Sequence, residues 1–154
     1  MAHYGSEGGV EGLNAHMIGG YSATTTPSSA QVAVFLEQGA ATLDAALAKA
    51  GYTTPVVSTA TGYQVLIRLN DLYAAACAEG AVNISTAGPG EETRSDKLWK
   101  LYRMELADFL AGDLTPLGLT LTPSTSTPRR RVRSLPLRRY DGYARNADNS
   151  ALDY

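Results

Sequence analysis

A chain of 154 residues, 44% hydrophobic and 18% charged, has the size and composition of about one globular domain. Its net charge of -2 conceals a split: residues 1–122 carry six Lys+Arg against twelve Asp+Glu, and residues 123–154 carry seven Arg against three Asp, so an acidic body at -6 precedes a basic tail at +4. Cys77 is the one cysteine, which excludes an intrachain disulfide and a multi-cysteine zinc site. No run reaches the roughly 18 to 20 apolar residues of a membrane span. The first residues hold glutamates and glycines where a signal peptide needs a basic start and an apolar stretch, so a soluble protein made in a cytoplasm is expected.

Residues 1–26 are rich in Gly, Ser and Thr. The glycines at 5, 8, 9, 12, 19 and 20 weaken regular structure, and this stretch reads as a flexible N-terminal segment with a brief helix over Val10–Met17. The first firm helix opens after Thr26-Pro27, with Ser28 and Gln31 forming a capping box. Val32, Phe35, Leu36, Ala40, Leu43 and Leu47 then recur at helical spacing until Gly51 stops it. Gly39 lies in its middle, which predicts either a bend or a close neighbour. A second helix, capped by Ser58 or Thr59, carries Val65, Leu66, Leu69, Leu72, Tyr73, Ala76 and Cys77 as one apolar stripe and runs to about Gly80. Residues 87–93 (AGPGEET) are a loop by composition. Ser95 is placed to cap a third helix bearing Leu98, Leu101, Tyr102, Leu106, Phe109 and Leu110, ended by Gly112. Between Leu114 and Thr122, alternation of Leu117, Leu119 and Leu121 predicts a short extended segment. The fold class that results is mainly α, a small helical bundle of three main helices with a short fourth, spanning 27–122 and followed by an extended arm over 123–154.

Catalytic chemistry is hard to build from these residues. His3 and His16 both fall in the glycine-rich start, where a rigid general base lacks support, and their spacing from Glu7 and Glu11 matches no familiar metal-ligand pattern. Cys77 sits on an apolar stripe, as a small buried thiol does. The glycines at 87–90 lack the preceding strand and following lysine of a phosphate-cradling loop. No enzymatic activity, cofactor or metal is therefore expected. Trp99 stands beside the stripe of the third helix, where it either anchors a subunit interface or widens the core face.

The arm is more informative. Arg129, Arg130, Arg131, Arg133, Arg138, Arg139 and Arg145 are interleaved with Val132, Leu135, Leu137, Tyr140 and Tyr143, while Pro123, Pro128 and Pro136 break any helix. A nucleic-acid arm needs cations and no leucines, whereas docking in a protein groove uses both guanidinium forks and apolar anchors. Three readings stand side by side: docking on a protein partner, direct nucleic-acid binding, and a solvated tail.

Three stretches resemble the head-to-tail adaptor (connector) proteins of tailed bacteriophages: TTTPSSAQVAVFLEQGAATLDAALAKAGYTTPV at 24–56, VLIRLNDLYAAACAEG at 65–80, and LWKLYRMELADFLAGDL at 98–114. The likeness covers some two thirds of the chain. It lies in helix lengths, a proline-opened first helix, a Gly-Tyr exit and a late Trp-Tyr-Leu helix.

The resemblance implies a structural subunit of the virion neck that forms a ring, usually of twelve copies. Such a ring joins the portal protein to the stopper or another tail protein and prolongs the DNA channel, without sequence-specific DNA binding. Carried over, residues 123–154 would be the arm that reaches the portal or a neighbouring subunit, with Arg129, Arg130, Arg131, Arg133, Leu135, Leu137, Arg138, Arg139, Tyr140, Tyr143 and the body residue Trp99 as the contacting side chains. The long glycine-rich N-terminus departs from the family pattern. The rival reading is a cytoplasmic nucleic-acid-binding protein that uses the basic arm. A hydrolase or enzyme accessory would need a convergent polar pocket around His16.

Overall fold

The structure, a computed structural model of the chain, describes residues 4–14, 19–82 and 92–123. The chain divides into two units, Met1–Pro123 and Ser124–Tyr154, and the second lies outside the described residues, as does the predicted arm apart from Pro123. Met1–Pro123 is mainly α, with helices α1 (Glu7–Leu13), α2 (Ser29–Ala50), α3 (Tyr63–Val82) and α4 (Arg94–Ala111) and a 3-10 turn over Thr115–Leu117.

Helix α2 forms as its sequence predicts. The Ser28 side chain accepts from the Gln31 N–H while the Gln31 side chain accepts from the Ser28 N–H, and Gly51 adopts φ 96° at the C-terminus. The N–H groups of Gly51 and Tyr52 return to Ala48 and Leu47, satisfying the last carbonyls. Val32, Leu36, Ala40, Leu43 and Leu47 are buried along one face.

Helix α3 is the centre of the bundle, packing against α1, α2 and α4. Its burial exceeds the single predicted stripe. Leu66, Leu69 and Leu72 face one apolar cluster with α2 and α4, while Ala74, Ala75 and Ala78 face a second with Val10, Tyr21, Val32 and Leu36. Val65, Tyr73 and Cys77, assigned to the stripe, are only half-buried. The predicted caps, Ser58 and Thr59, are exposed, and the helix starts instead after Gly62, whose carbonyl accepts from Val65 and Leu66.

Where α2 crosses α3, Gly39 is required by proximity. A β-carbon there would fall on Asn70 Oδ1 and lie 2.9 Å from the Tyr73 ring. Of the two predicted roles for Gly39, this is the close neighbour. Asn70 is fully buried, and neither polar atom of its amide has a hydrogen-bond partner among the described residues.

The N-terminal helix begins earlier than predicted. Ser6 accepts from the Gly9 N–H, which sets the start at Glu7, and Asn14 ends the helix; the remainder of the predicted Val10–Met17 span includes residues 15–17, outside the described set. At the other end, the Leu114–Thr122 alternation gives way to a turn. Gly118 at φ 80° terminates the 3-10 turn and changes the phase, so Leu114 and Leu119 are buried while Leu121 is 55% exposed. Backbone bonds Gly62 N–H to Leu117 O, Thr53 N–H to Thr120 O and Thr122 N–H to Gly51 O clasp this segment onto the turn between α2 and α3.

The α2–α3 crossing makes a quantitative prediction. An unhindered Gly39→Ala would stabilise a helix by up to about 1 kcal/mol, but the clash with Asn70 should make it destabilising by about 1 to 3 kcal/mol. Adding Asn70→Ala removes the nearer obstruction and the unpartnered amide and leaves the Tyr73 ring at 2.9 Å. In urea unfolding the double variant should recover part of the loss, with a coupling of at least about 1 kcal/mol, whereas additive effects would contradict the packing described.

Candidate partner interface

The residues assigned to partner contact fall in two places. Arg129, Arg130, Arg131, Arg133, Leu135, Leu137, Arg138, Arg139, Tyr140 and Tyr143 lie outside the described residues, as do His3, His16 and the glycines at 87–90. Trp99 lies on α4, and the structure defines its setting.

Thr93, two residues before the predicted cap, starts α4. It forms a capping box with Asp96, whose carboxylate accepts from both the Thr93 hydroxyl and the Thr93 N–H, and these bonds hold the Asp96 pKa below its usual value. Ser95 is thereby freed for another role: its hydroxyl donates to the Ala76 carbonyl at 2.8 Å, tying the first turn of α4 to α3. One turn further on, Trp99 meets Tyr73 edge-to-face at 5.1 Å and Tyr102 at 5.8 Å, and Tyr73 and Tyr102 are themselves 5.6 Å apart. Such edge-to-face pairs contribute about 0.5 to 1.5 kcal/mol each beyond area burial. Trp99 therefore widens the core face, and as a half-buried side chain it also keeps part of the indole at the surface.

The rest of α4 is similar. Leu98, Leu101, Leu106, Phe109 and Leu110 pack on the core yet remain only partly covered, and Met104 is 55% exposed. Only Ser95 and Tyr102 are buried outright. Arg68 on α3 donates through Nε and Nη2 to the two Glu105 carboxylate oxygens, each at 2.8 Å, which fixes the register of α4 against α3 at a solvent-facing fork.

Polar groups are also buried near the start of α4. Arg94 Nε lies 3.3 Å from Oε1 of the buried Glu79, and its Nη2 donates to the Leu13 carbonyl at the end of α1. Asn14 donates to the Tyr21 hydroxyl at 2.8 Å and to Ala75 O at 3.4 Å. Burial, with a smaller contribution from Glu79, raises the Tyr21 pKa although the Asn14 bond opposes it. None of these links was visible in the sequence, where Glu79 and Arg94 stand apart. The available signal was the placement of Asn70, Asp71 and Glu79 among apolar neighbours on one helix.

Among the described residues no group of three or more His, Cys, Asp and Glu is placed to hold a metal ion, and no helix is long and apolar enough to cross a membrane. Burial pushes the Cys77 thiol up, away from the thiolate that nucleophilic chemistry needs. What the surface offers is contact: a half-covered apolar helix carrying one tryptophan. No protein-family model, curated protein or solved structure matches this chain.

Tyr102 supplies a test of the aromatic cluster. Its hydroxyl is buried without a partner among the described residues, and burial, helped by Tyr73, pushes its pKa up to about 12. Tyr102→Phe keeps the ring contacts and removes an unpaired polar group, so thermal unfolding should show a change between zero and about 1 kcal/mol in favour of the variant. A loss of more than that would reveal a partner for the hydroxyl.

Proposed function

We propose that this protein is a structural head-to-tail connector subunit of a bacteriophage neck, a member of a ring between the portal protein and a stopper or tail protein, lining a channel through which DNA passes. The observation that carries the reading is the division of the chain near Pro123 into a helical body with a surplus of acid and a basic segment whose arginines alternate with leucines and tyrosines. An acidic body repels DNA that must slide past it, and a basic segment interleaved with apolar anchors suits docking on a protein partner. The half-covered apolar side of α4 and Trp99 supports the homo-oligomeric part of the reading, because neighbouring subunits bury such surface. Head-to-tail contacts of that kind close into a ring where the rotation between copies permits.

Two outcomes are expected. Deletion after Thr122 removes a segment to which none of the described core belongs, so the shortened chain should stay soluble and helical by circular dichroism while failing to co-purify with the portal. Normal portal capture by the truncated chain would refute the role given to the arm. Replacing Arg138 and Arg139 by alanine should weaken capture at least about ten-fold, since each guanidinium contact to a charged partner contributes about 1.5 to 3 kcal/mol. Arg68→Ala should leave capture unchanged, because that side chain is engaged with Glu105 on the body. The competing nucleic-acid reading is favoured if the isolated protein binds duplex DNA tightly at physiological salt with a steep salt dependence.

A further inference from the structure

The contact between α1 and α3 is built around a buried carboxylate. Asp71 on α3 is 7% exposed and accepts a hydrogen bond from the Ser6 backbone N–H at 2.9 Å. Among the described residues no cation pairs with it. Gly5 and Gly9 lie directly over it, and a β-carbon at either position would fall on its oxygens. The N-terminal backbone thus rests on Asp71 itself, a seat available only to glycine.

Helix α1 has little stability of its own. It spans seven residues, of which Gly8, Gly9 and Gly12 each cost about 0.8 to 1 kcal/mol relative to alanine, and isolated helices shorter than about 12 residues are marginal even without glycine. Docking supplies what propensity lacks. Val10 is fully buried against Val32, Leu36, Ala74, Ala75 and Ala78. Tyr4 donates to Asp44 and accepts from the Val56 N–H, and Arg94 holds the Leu13 carbonyl. Against these stand the desolvated Asp71 carboxylate and the buried, unpartnered Oδ1 of Asn14.

We propose that residues 4–14 are a releasable strap: the segment leaves α3 as a unit while α2, α3 and α4 stay folded, and the ionisation of Asp71 sets how firmly it is held. Release uncovers the small-residue face of α3 at Ala74, Ala75 and Ala78 together with Val32 and Leu36 on α2.

The sign follows from burial. Docking desolvates Asp71, which raises its pKa; the Ser6 N–H opposes this but does not outweigh it. Below the ordinary carboxylate range both docked and released forms are protonated, and the strap is held at full strength. As pH rises through the raised value, only the docked form must keep a charge out of water, so the hold weakens. Among the described residues the other titratable groups at this contact are Asp44, Glu79, Arg94 and Tyr21 on the body, with Tyr4, Glu7 and Glu11 on the strap. Asp44 accepts from Tyr4, Glu79 faces Arg94 and Glu11 accepts from the Tyr21 N–H. Among the described residues Asp71 is the one carboxylate of the body that accepts from the strap backbone.

Hydrogen exchange on the full chain tests this, with rates corrected for intrinsic pH dependence. Amides of residues 7–14 should open at least about ten-fold more often than those of Leu69 and Leu72, and the ratio should grow as pH rises above the ordinary carboxylate range. Asp71→Asn keeps an acceptor for Ser6 and removes the charge, so it should increase protection of 7–14 at neutral pH and flatten the pH dependence. Gly9→Ala, which places a methyl group on Asp71, should abolish protection of 7–14 while amides of α2, α3 and α4 remain protected. The proposal is overturned if α1 and α3 exchange with one common opening constant at every pH. It also fails if the pH dependence survives in Asp71→Asn, or if Gly9→Ala unfolds the whole bundle.

Discussion

Everything in this bundle depends on α3 being covered by three helices at once. A helix in that position cannot keep one polar side for water, and α3 has adapted by using alanine wherever a neighbour comes close. Ala74, Ala75 and Ala78 admit α1 and Tyr21, Ala76 accepts the Ser95 hydroxyl through its carbonyl, and the leucines at 66, 69 and 72 fill the wider space toward α2 and α4. The polar residues on the same helix are met by shape as much as by charge. Asn70 is received by Gly39 on α2, and Asp71 by Gly9 on α1 and by Gly5 just before it, so three glycines answer two side chains of α3.

The division of labour among the other helices follows. Helix α2 is long, capped at both ends and buried along one face, and needs little else. Helix α1 exists because α3 gives it a seat. Helix α4 is amphipathic but under-covered, since its leucines and Phe109 reach the core without being enclosed by it. That partly covered side is the surface the proposed connector role would use for contact between copies.

What could be read from the amino-acid order was whatever depends on local chemistry. The Ser28–Gln31 box, the α2 stripe and the left-handed Gly51 are fixed by residues within a few positions of one another. The start of α4 was harder, because Thr93 and Ser95 are both good caps, and the choice went to the one with Asp96 three residues on. The second buried face of α3 was hidden because alanine gives almost no amphipathic contrast. Glycine content argued against α1, and tertiary contact overrode it. The leucine alternation at 117–121 was misleading because Gly118 at φ 80° shifts the phase of everything after it. The place of Trp99 beside the stripe was legible from helical spacing, but its contacts with Tyr73 and Tyr102 depend on the register between two helices, which no local pattern encodes.

The clasp formed by Thr53, Thr120, Thr122 and Gly51 has a mechanical meaning. Two backbone hydrogen bonds and the buried Leu119 secure the chain just before Pro123, where the first unit ends. Tension applied from the C-terminal side is therefore delivered first to the turn between α2 and α3, near the left-handed end of α2, and reaches the helix ladders only after those bonds part.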